Sequence, residues 1–225
     1  MKDVGQLVSE LGERFPVPPT DHQVRGQGFD YIGRQWTSDQ RWPSHLPRPA
    51  FLDLERGHVT RADVFQRART IRSEEDAIEL YVMMAAWGAG TKARPTARAR
   101  RPLHEPGAPE RLMQSVEHLR SAKDAVEGYR RLLPGNQDRI KYFGPAFFTK
   151  WLYFAGADLD RQPLILDALV ATAIGSRLRT GWSPKEYDQY LQLAGEIRDQ
   201  WVPNEPTHVV EYALFHLGRS VRASA

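Results

Sequence analysis

Two charged residues stand in the most apolar part of the chain. Lys150 lies in Pro145-Ala-Phe-Phe-Thr-Lys-Trp-Leu-Tyr-Phe-Ala155, and Asp167 lies in Pro163-Leu-Ile-Leu-Asp-Ala-Leu-Val-Ala-Thr-Ala-Ile174. An ammonium among Phe147, Phe148, Trp151 and Phe154 is disfavoured by desolvation, so the neutral amine, which is the nucleophile, becomes accessible. Asp167 is then the partner that handles charge or protons. Ahead of both, Arg139-Ile-Lys-Tyr-Phe leads basic residues into a Gly144-Pro145 turn. Gly144 can take φ values that other residues resist, Pro145 suits a first helical position, and the free amides of a helix start attract phosphate.

This stretch resembles the end of the helix-hairpin-helix DNA glycosylases, specifically the 8-oxoguanine glycosylase (OGG-fold) branch. A turn with Gly144, a helix with Lys150, a loop with Pro163 and an apolar run around Asp167 follow that family's order. The resemblance implies an all-α, helix-hairpin-helix glycosylase-like fold. It also implies a hairpin at 139–155 that grips the DNA backbone, a lysine that attacks the sugar C1′ and an aspartate one helix further on. Two departures stand out. The family hairpin has two glycines around one apolar residue, whereas Phe143-Gly144 supplies one, and alignment on Gly144 puts the family lysine near Ala146, about one turn before Lys150.

The last helix carries a second point of resemblance. The family places a glutamine on the flipped base and, one turn later, a phenylalanine that stacks on it; Glu211-Tyr-Ala-Leu-Phe215, with Arg219 beyond, has that spacing. An ionised glutamate only accepts hydrogen bonds, so a base read by Glu211 must present donors, such as the exocyclic amine of a cytosine or the N1 and amine of a guanine lesion. Phe215, Trp151, Tyr187 and Trp182 are the expected walls of the base pocket. The implied activity is that of a DNA N-glycosylase that flips a modified base out of the stack and excises it, leaving an abasic site, with strand cleavage if Lys150 attacks. The base is 8-oxoguanine, or a modified cytosine such as the glucosylated hydroxymethylcytosine of phage DNA that compact bacterial OGG-fold proteins remove in antiphage defence. A roomy pocket would suit the second and a snug one the first. The alternative is a non-catalytic helical DNA-binding module in which Asp167 merely caps a helix.

The positioning elements follow from periodicity and capping. Residues 1–59 form a cap segment: an amphipathic helix with Val4, Leu7, Val8 and Leu11 on one stripe, then a stretch whose prolines forbid long helices. Residues 60–225 form the helical domain. Thr60 caps one helix, Ser73-Glu-Glu-Asp76 opens the next with acids where the helix dipole favours them, and Ser183 with Pro184 opens another. Two helices occupy 108–133, and the last begins after Thr207. No convincing period-two strand is visible. Lys92, Arg94, Arg98, Arg100 and Arg101 fall in an acid-free stretch read as a loop, a strip of phosphate contacts that joins Gly144 and Lys141 as the expected backbone-binding set. By the resemblance, a wedge near Gly90, Thr91 or Lys92 fills the gap left by the extruded base.

The remaining bounds are mild. The 225 residues are 41% hydrophobic, enough for a packed core, and the formal charge of +3 permits nucleic-acid binding without demanding it. The absence of cysteine excludes disulfides, thiolate-bound zinc and an iron–sulfur cluster. The histidines lack metal-ligand spacing, so no metal or cofactor is expected. No apolar run spans a bilayer and the start lacks a secretory core, so the expectation is a cytoplasmic, monomeric protein acting on double-stranded DNA.

Overall fold

Capping residues set the helix starts where the sequence marks them. Thr60 and Asp63, Ser73 and Asp76, and Ser183 and Glu186 each form a reciprocal pair. The hydroxyl accepts from the third backbone N–H, and that residue's own side chain accepts from the cap's N–H. The computed structural model describes residues 1–38, 41–178 and 180–223. In chain order the elements are α1 (Val4–Arg14), α2 (Asp21–Gly26), β1 (Gly28–Ile32), α3 (Arg34–Thr37), β2 (Arg56–Thr60), α4 (Arg61–Ala68), α5 (Glu74–Ala89) and α6 (Ala93–Arg100). They continue with α7 (Ala108–Ser121), α8 (Ala125–Arg131), α9 (Pro145–Ala155), α10 (Ala168–Ala173), α11 (Pro184–Trp201) and α12 (His208–Ala223). The fold is mostly α, as expected, and no described helix is long and apolar enough to cross a membrane.

Helix α5 is the centre. It is apolar nearly all round, with Ile78, Leu80, Tyr81, Met84 and Trp87 buried, which is the pattern of a helix enclosed by others. It packs on α4, α6, α7, α9 and both strands, while α9 packs on α4, α5, α7 and α8. Helices α10 and α12 lie closest together: a Cβ at Gly218 would collide with the Leu169 carbonyl, so glycine is required there. That approach places Glu211 and Phe215 of α12 beside the start of α10, where Asp167 sits.

Three expectations need correction. First, β1 and β2 form an antiparallel pair, with Gly28 opposite Thr60 and Ile32 opposite Arg56. Each strand has only five residues and its partner lies beyond a proline-rich connection, so no local hairpin signal marks them. Second, the basic stretch after Gly90 is helix α6, held because Thr96 and Ala99 bury one small-residue face and Tyr81 Oη donates to the Ala99 carbonyl at 2.6 Å. Pro95 is tolerated because the first-turn amides have no intrahelical partner in any case. Third, Gly144 has φ −86° and ψ 172°, extended backbone open to any residue, and the positive φ of this turn belongs to Tyr142 at 66°.

Candidate active site

A cavity of about 640 Å³ opens between the β-pair, the α5–α6 turn, α9, α10 and α12. Lys150, Asp167, Glu211 and Phe215 all line it, together with Phe29 and Trp87. Lys150 therefore faces the cavity and not the aromatic core on the other side of α9, where Phe148, Trp151 and Phe154 are buried. Its Nζ donates to the Ala146 carbonyl at 2.9 Å and lies 3.4 Å from Asp167 Oδ2. Side chains on a helix lean towards its N-terminus, so the ammonium of Lys150 stands at the level of Ala146.

Asp167 has two roles for its two oxygens. Oδ1 caps α10, accepting from Leu169 N at 2.9 Å and Val170 N at 3.1 Å, which leaves Oδ2 to face Lys150. The extended segment ahead of it is pinned by hydroxyls. Tyr187 Oη donates to the Leu164 carbonyl at 2.9 Å and accepts from Leu164 N at 3.2 Å, and Tyr190 Oη donates to the Ile165 carbonyl at 2.9 Å. Thr149 Oγ1 accepts from Leu166 N at 3.1 Å. Burial pushes both tyrosine hydroxyls well above their ordinary range, so they stay protonated donors. Tyr187→Phe leaves a buried N–H and C=O without a partner, and it is expected to cost about 1–3 kcal/mol. Denaturant unfolding checks that cost.

Glu211 closes the cavity floor and is 1% exposed. Arg61 Nη1 donates to its Oε2 at 2.6 Å and to Tyr153 Oη at 3.1 Å, and the Arg61 guanidinium lies 5.0 Å from the Trp87 ring centroid. Burial raises the Glu211 pKa and Arg61 opposes that rise; burial lowers the Arg61 pKa, but Glu211 more than offsets it and holds the guanidinium charged. The contact is therefore an ion pair with a fixed cation.

Behind the pair, Tyr153 Oη contacts His208 Nδ1 at 3.0 Å and His208 Nε2 contacts Asp21 Oδ1 at 2.6 Å. With Arg61 donating to Tyr153, the tyrosine proton points to Nδ1 and His208 carries its proton on Nε2, donated to Asp21. Burial first, then the Arg61 charge, depresses His208 to about 4. The unfolded chain takes up that proton near 6.5, so stability falls as pH drops from 6.5 towards 4 and is complete above 6.5. Unfolding followed across that range should show a shallower loss in His208→Gln.

Other expected site residues fall elsewhere. Trp151, Tyr187 and Trp182 are core, not pocket walls: Trp151 Nε1 donates to Ser115 Oγ at 2.8 Å, Tyr187 stacks on Tyr129 at 4.4 Å, and the Trp182 carbonyl accepts from Tyr129 Oη at 2.6 Å. Periodicity marks a buried aromatic without distinguishing core from cavity. Lys92 lines the cavity, Arg98, Arg101 and Gly144 line a separate cleft, Arg94 is exposed on α6, and Arg100 Nη1 donates to the Arg41 carbonyl at 3.1 Å. Lys141 Nζ lies 5.0 Å from the Tyr142 ring centroid. Trp87 and Arg61 were not expected in the site, and Phe29 reads from the sequence as core filling first and a base contact second. Trp87 immediately precedes Gly88-Ala-Gly90 and could have been noticed, whereas Arg61 meets a partner 150 residues away and leaves no local signal.

No curated protein and no solved structure matches the chain. Residues 22–215 match the OGG family, described as "Putative 8-oxoguanine DNA glycosylase OGG-like protein". That span holds the lysine, the aspartate, the glutamate and the phenylalanine of the cavity, and the chain belongs to this OGG-like DNA glycosylase family.

Proposed function

We propose that the protein is a DNA N-glycosylase that takes a flipped, modified base of double-stranded DNA into the 640 Å³ cavity and excises it. The observation that carries this reading is the 3.4 Å approach of Lys150 Nζ to Asp167 Oδ2 inside a cavity walled by Phe29, Trp87 and Phe215. A binding module has no use for an amine and a carboxylate presented together to such a space. The C1′–N bond breaks with its electron pair leaving on the base, and Asp167 Oδ2 faces the positive charge that develops on the sugar. The Lys150 ammonium gives up a proton, which neutralises the departing base, and the free amine forms the new bond to C1′. Opening of the sugar ring then gives a Schiff base, which hydrolyses to an abasic site or eliminates the 3′ phosphate. Lys92, Arg94, Arg98, Arg100, Arg101, Lys141 and the bare backbone at Gly144 serve the DNA backbone.

Glu211, ionised against Arg61, accepts from the base edge. A guanine lesion offers two adjacent donors, N1–H and the exocyclic amine, and the family's description points to oxidised guanine. The cavity volume favours a second reading, because about 300–1,000 Å³ is the range that encloses a drug-sized ligand and exceeds what one base needs. A cytosine carrying a bulky group such as glucosylated hydroxymethyl fits that space and offers its amine to Glu211, which would make the protein an antiphage enzyme. Base release decides between them. The two substrates are an 8-oxoguanine duplex and phage DNA carrying glucosylated hydroxymethylcytosine, with abasic sites detected by an aldehyde-reactive probe. Signal on one alone assigns the substrate; silence on both, with tight salt-sensitive binding, would leave a non-catalytic DNA-binding module.

A further inference from the structure

A second cleft of about 310 Å³ lies at the start of α9, lined by Arg98, Arg101, Tyr142, Gly144, Ala146 and Phe147. Tyr142 dominates it. The residue is 49% exposed, and every other Phe, Trp and Tyr among the described residues is buried or partly buried. Its backbone has φ 66°, a region that non-glycine residues enter at a cost and keep where function uses it. Ile140 and Phe143 are buried on either side, and Phe143 N donates to the Ile140 carbonyl at 3.2 Å, so this tight turn anchors two apolar residues inwards and presents the ring outwards.

The surroundings of the ring specify a partner. Lys141 Nζ lies 5.0 Å and the Arg101 guanidinium carbon 5.7 Å from its centroid, and Arg98 lines the same cleft. Among the described residues no carboxylate pairs with any of these three cations. Gly144 has backbone angles any residue can adopt, and a Cβ there would meet nothing within 4 Å, so the fold itself does not require a glycine. A half-exposed ring whose faces already carry cations, three cations with no carboxylate partner among the described residues and a bare backbone together fit a ligand with both a flat ring that can take the place of a cation on Tyr142 and an anionic link that the displaced cation can meet. A nucleotide has both.

We propose that this cleft is a second nucleotide subsite, outside the excision cavity, that takes an unpaired nucleotide of the bound DNA: its base stacks on Tyr142 and its phosphate lies against Arg98 and Arg101. The proposal rests on the DNA glycosylase reading and extends it. A base paired inside a duplex has both faces covered by its neighbours and cannot stack on a protein ring; an unpaired base can, whatever its identity. The Ala146 carbonyl joins the two sites, since it accepts from Lys150 Nζ while Ala146 lines the second cleft. The preferred substrate is therefore DNA in which unpaired nucleotides lie close to the target base, as at a junction, gap or single-stranded tail.

Fluorescence anisotropy with the full chain tests this on two probes, a fully paired duplex and the same duplex with a single-stranded tail. Wild type should bind the tailed probe more tightly. Tyr142→Ala should weaken that binding by about 5- to 150-fold while changing duplex affinity little, and Tyr142→Phe should retain it. Tyr142→Gly removes the ring and relieves the positive φ, so the same loss with an undiminished melting temperature separates stacking from folding. Equal effects of Tyr142→Ala on both probes, or none on either, with duplex binding intact in wild type, would overturn the subsite and leave the glycosylase reading standing. Failure of wild type to bind either probe would overturn both.

Discussion

Asp167→Asn is expected to lower base release by at least about 10²–10³-fold with folding and DNA binding nearly unchanged. The two oxygens of Asp167 make this a clean substitution. Asparagine caps a helix about as well as aspartate, so its oxygen can still accept from Leu169 N and Val170 N and hold the start of α10. What disappears is the charge at Oδ2, which faces Lys150 and, in the proposed reaction, the sugar. Single-turnover base release measures the loss, and thermal unfolding with DNA titration checks that nothing else has changed. An unchanged rate would remove Asp167 from the mechanism.

Arg61→Met carries the largest expected cost in stability, about 3–5 kcal/mol, because it leaves the Glu211 carboxylate buried without its cation. The guanidinium also lies 5.0 Å from the Trp87 ring centroid and 5.3 Å from that of Tyr153, contacts that the substitution removes. Urea unfolding gives the figure. Adding Glu211→Gln to Arg61→Met removes the stranded charge and should recover part of the loss, whereas independent costs that simply add would show that the pair does not act as one. If Glu211 reads the base as proposed, Arg61 keeps it an acceptor, and Glu211→Gln should relax the demand for a donor edge on that base.

How much of this could be foreseen depends on whether a feature is local. The caps at Thr60 and Ser183, and the helix start at Ser73, were legible because a cap and its third residue suffice to form the box. Asp167 and Lys150 were legible as charges in apolar runs, and the spacing from Glu211 to Phe215 placed both on one face of the last helix. The ion pair of Arg61 with Glu211 was not, since its two residues lie 150 positions apart and each alone resembles an ordinary helix residue. Trp151, Tyr187 and Trp182 were assigned to the pocket because burial and function leave the same aromatic signal. Tyr187 acts at one remove, holding Leu164 and, through that segment, Asp167. The β-pair escaped notice because two five-residue strands joined across a proline-rich connection leave too short an alternation to detect.

The central claim is that Lys150 and Asp167 form the reacting pair of a glycosylase, and borohydride trapping tests it most directly. Reduction during turnover on whichever DNA supports base release should convert the Schiff base into a stable protein–DNA adduct visible on a denaturing gel. The account predicts that adduct in wild type and its absence in Lys150→Ala. An adduct of undiminished yield in Lys150→Ala, or base release by wild type with no adduct at all, would contradict the assignment of Lys150 as the nucleophile.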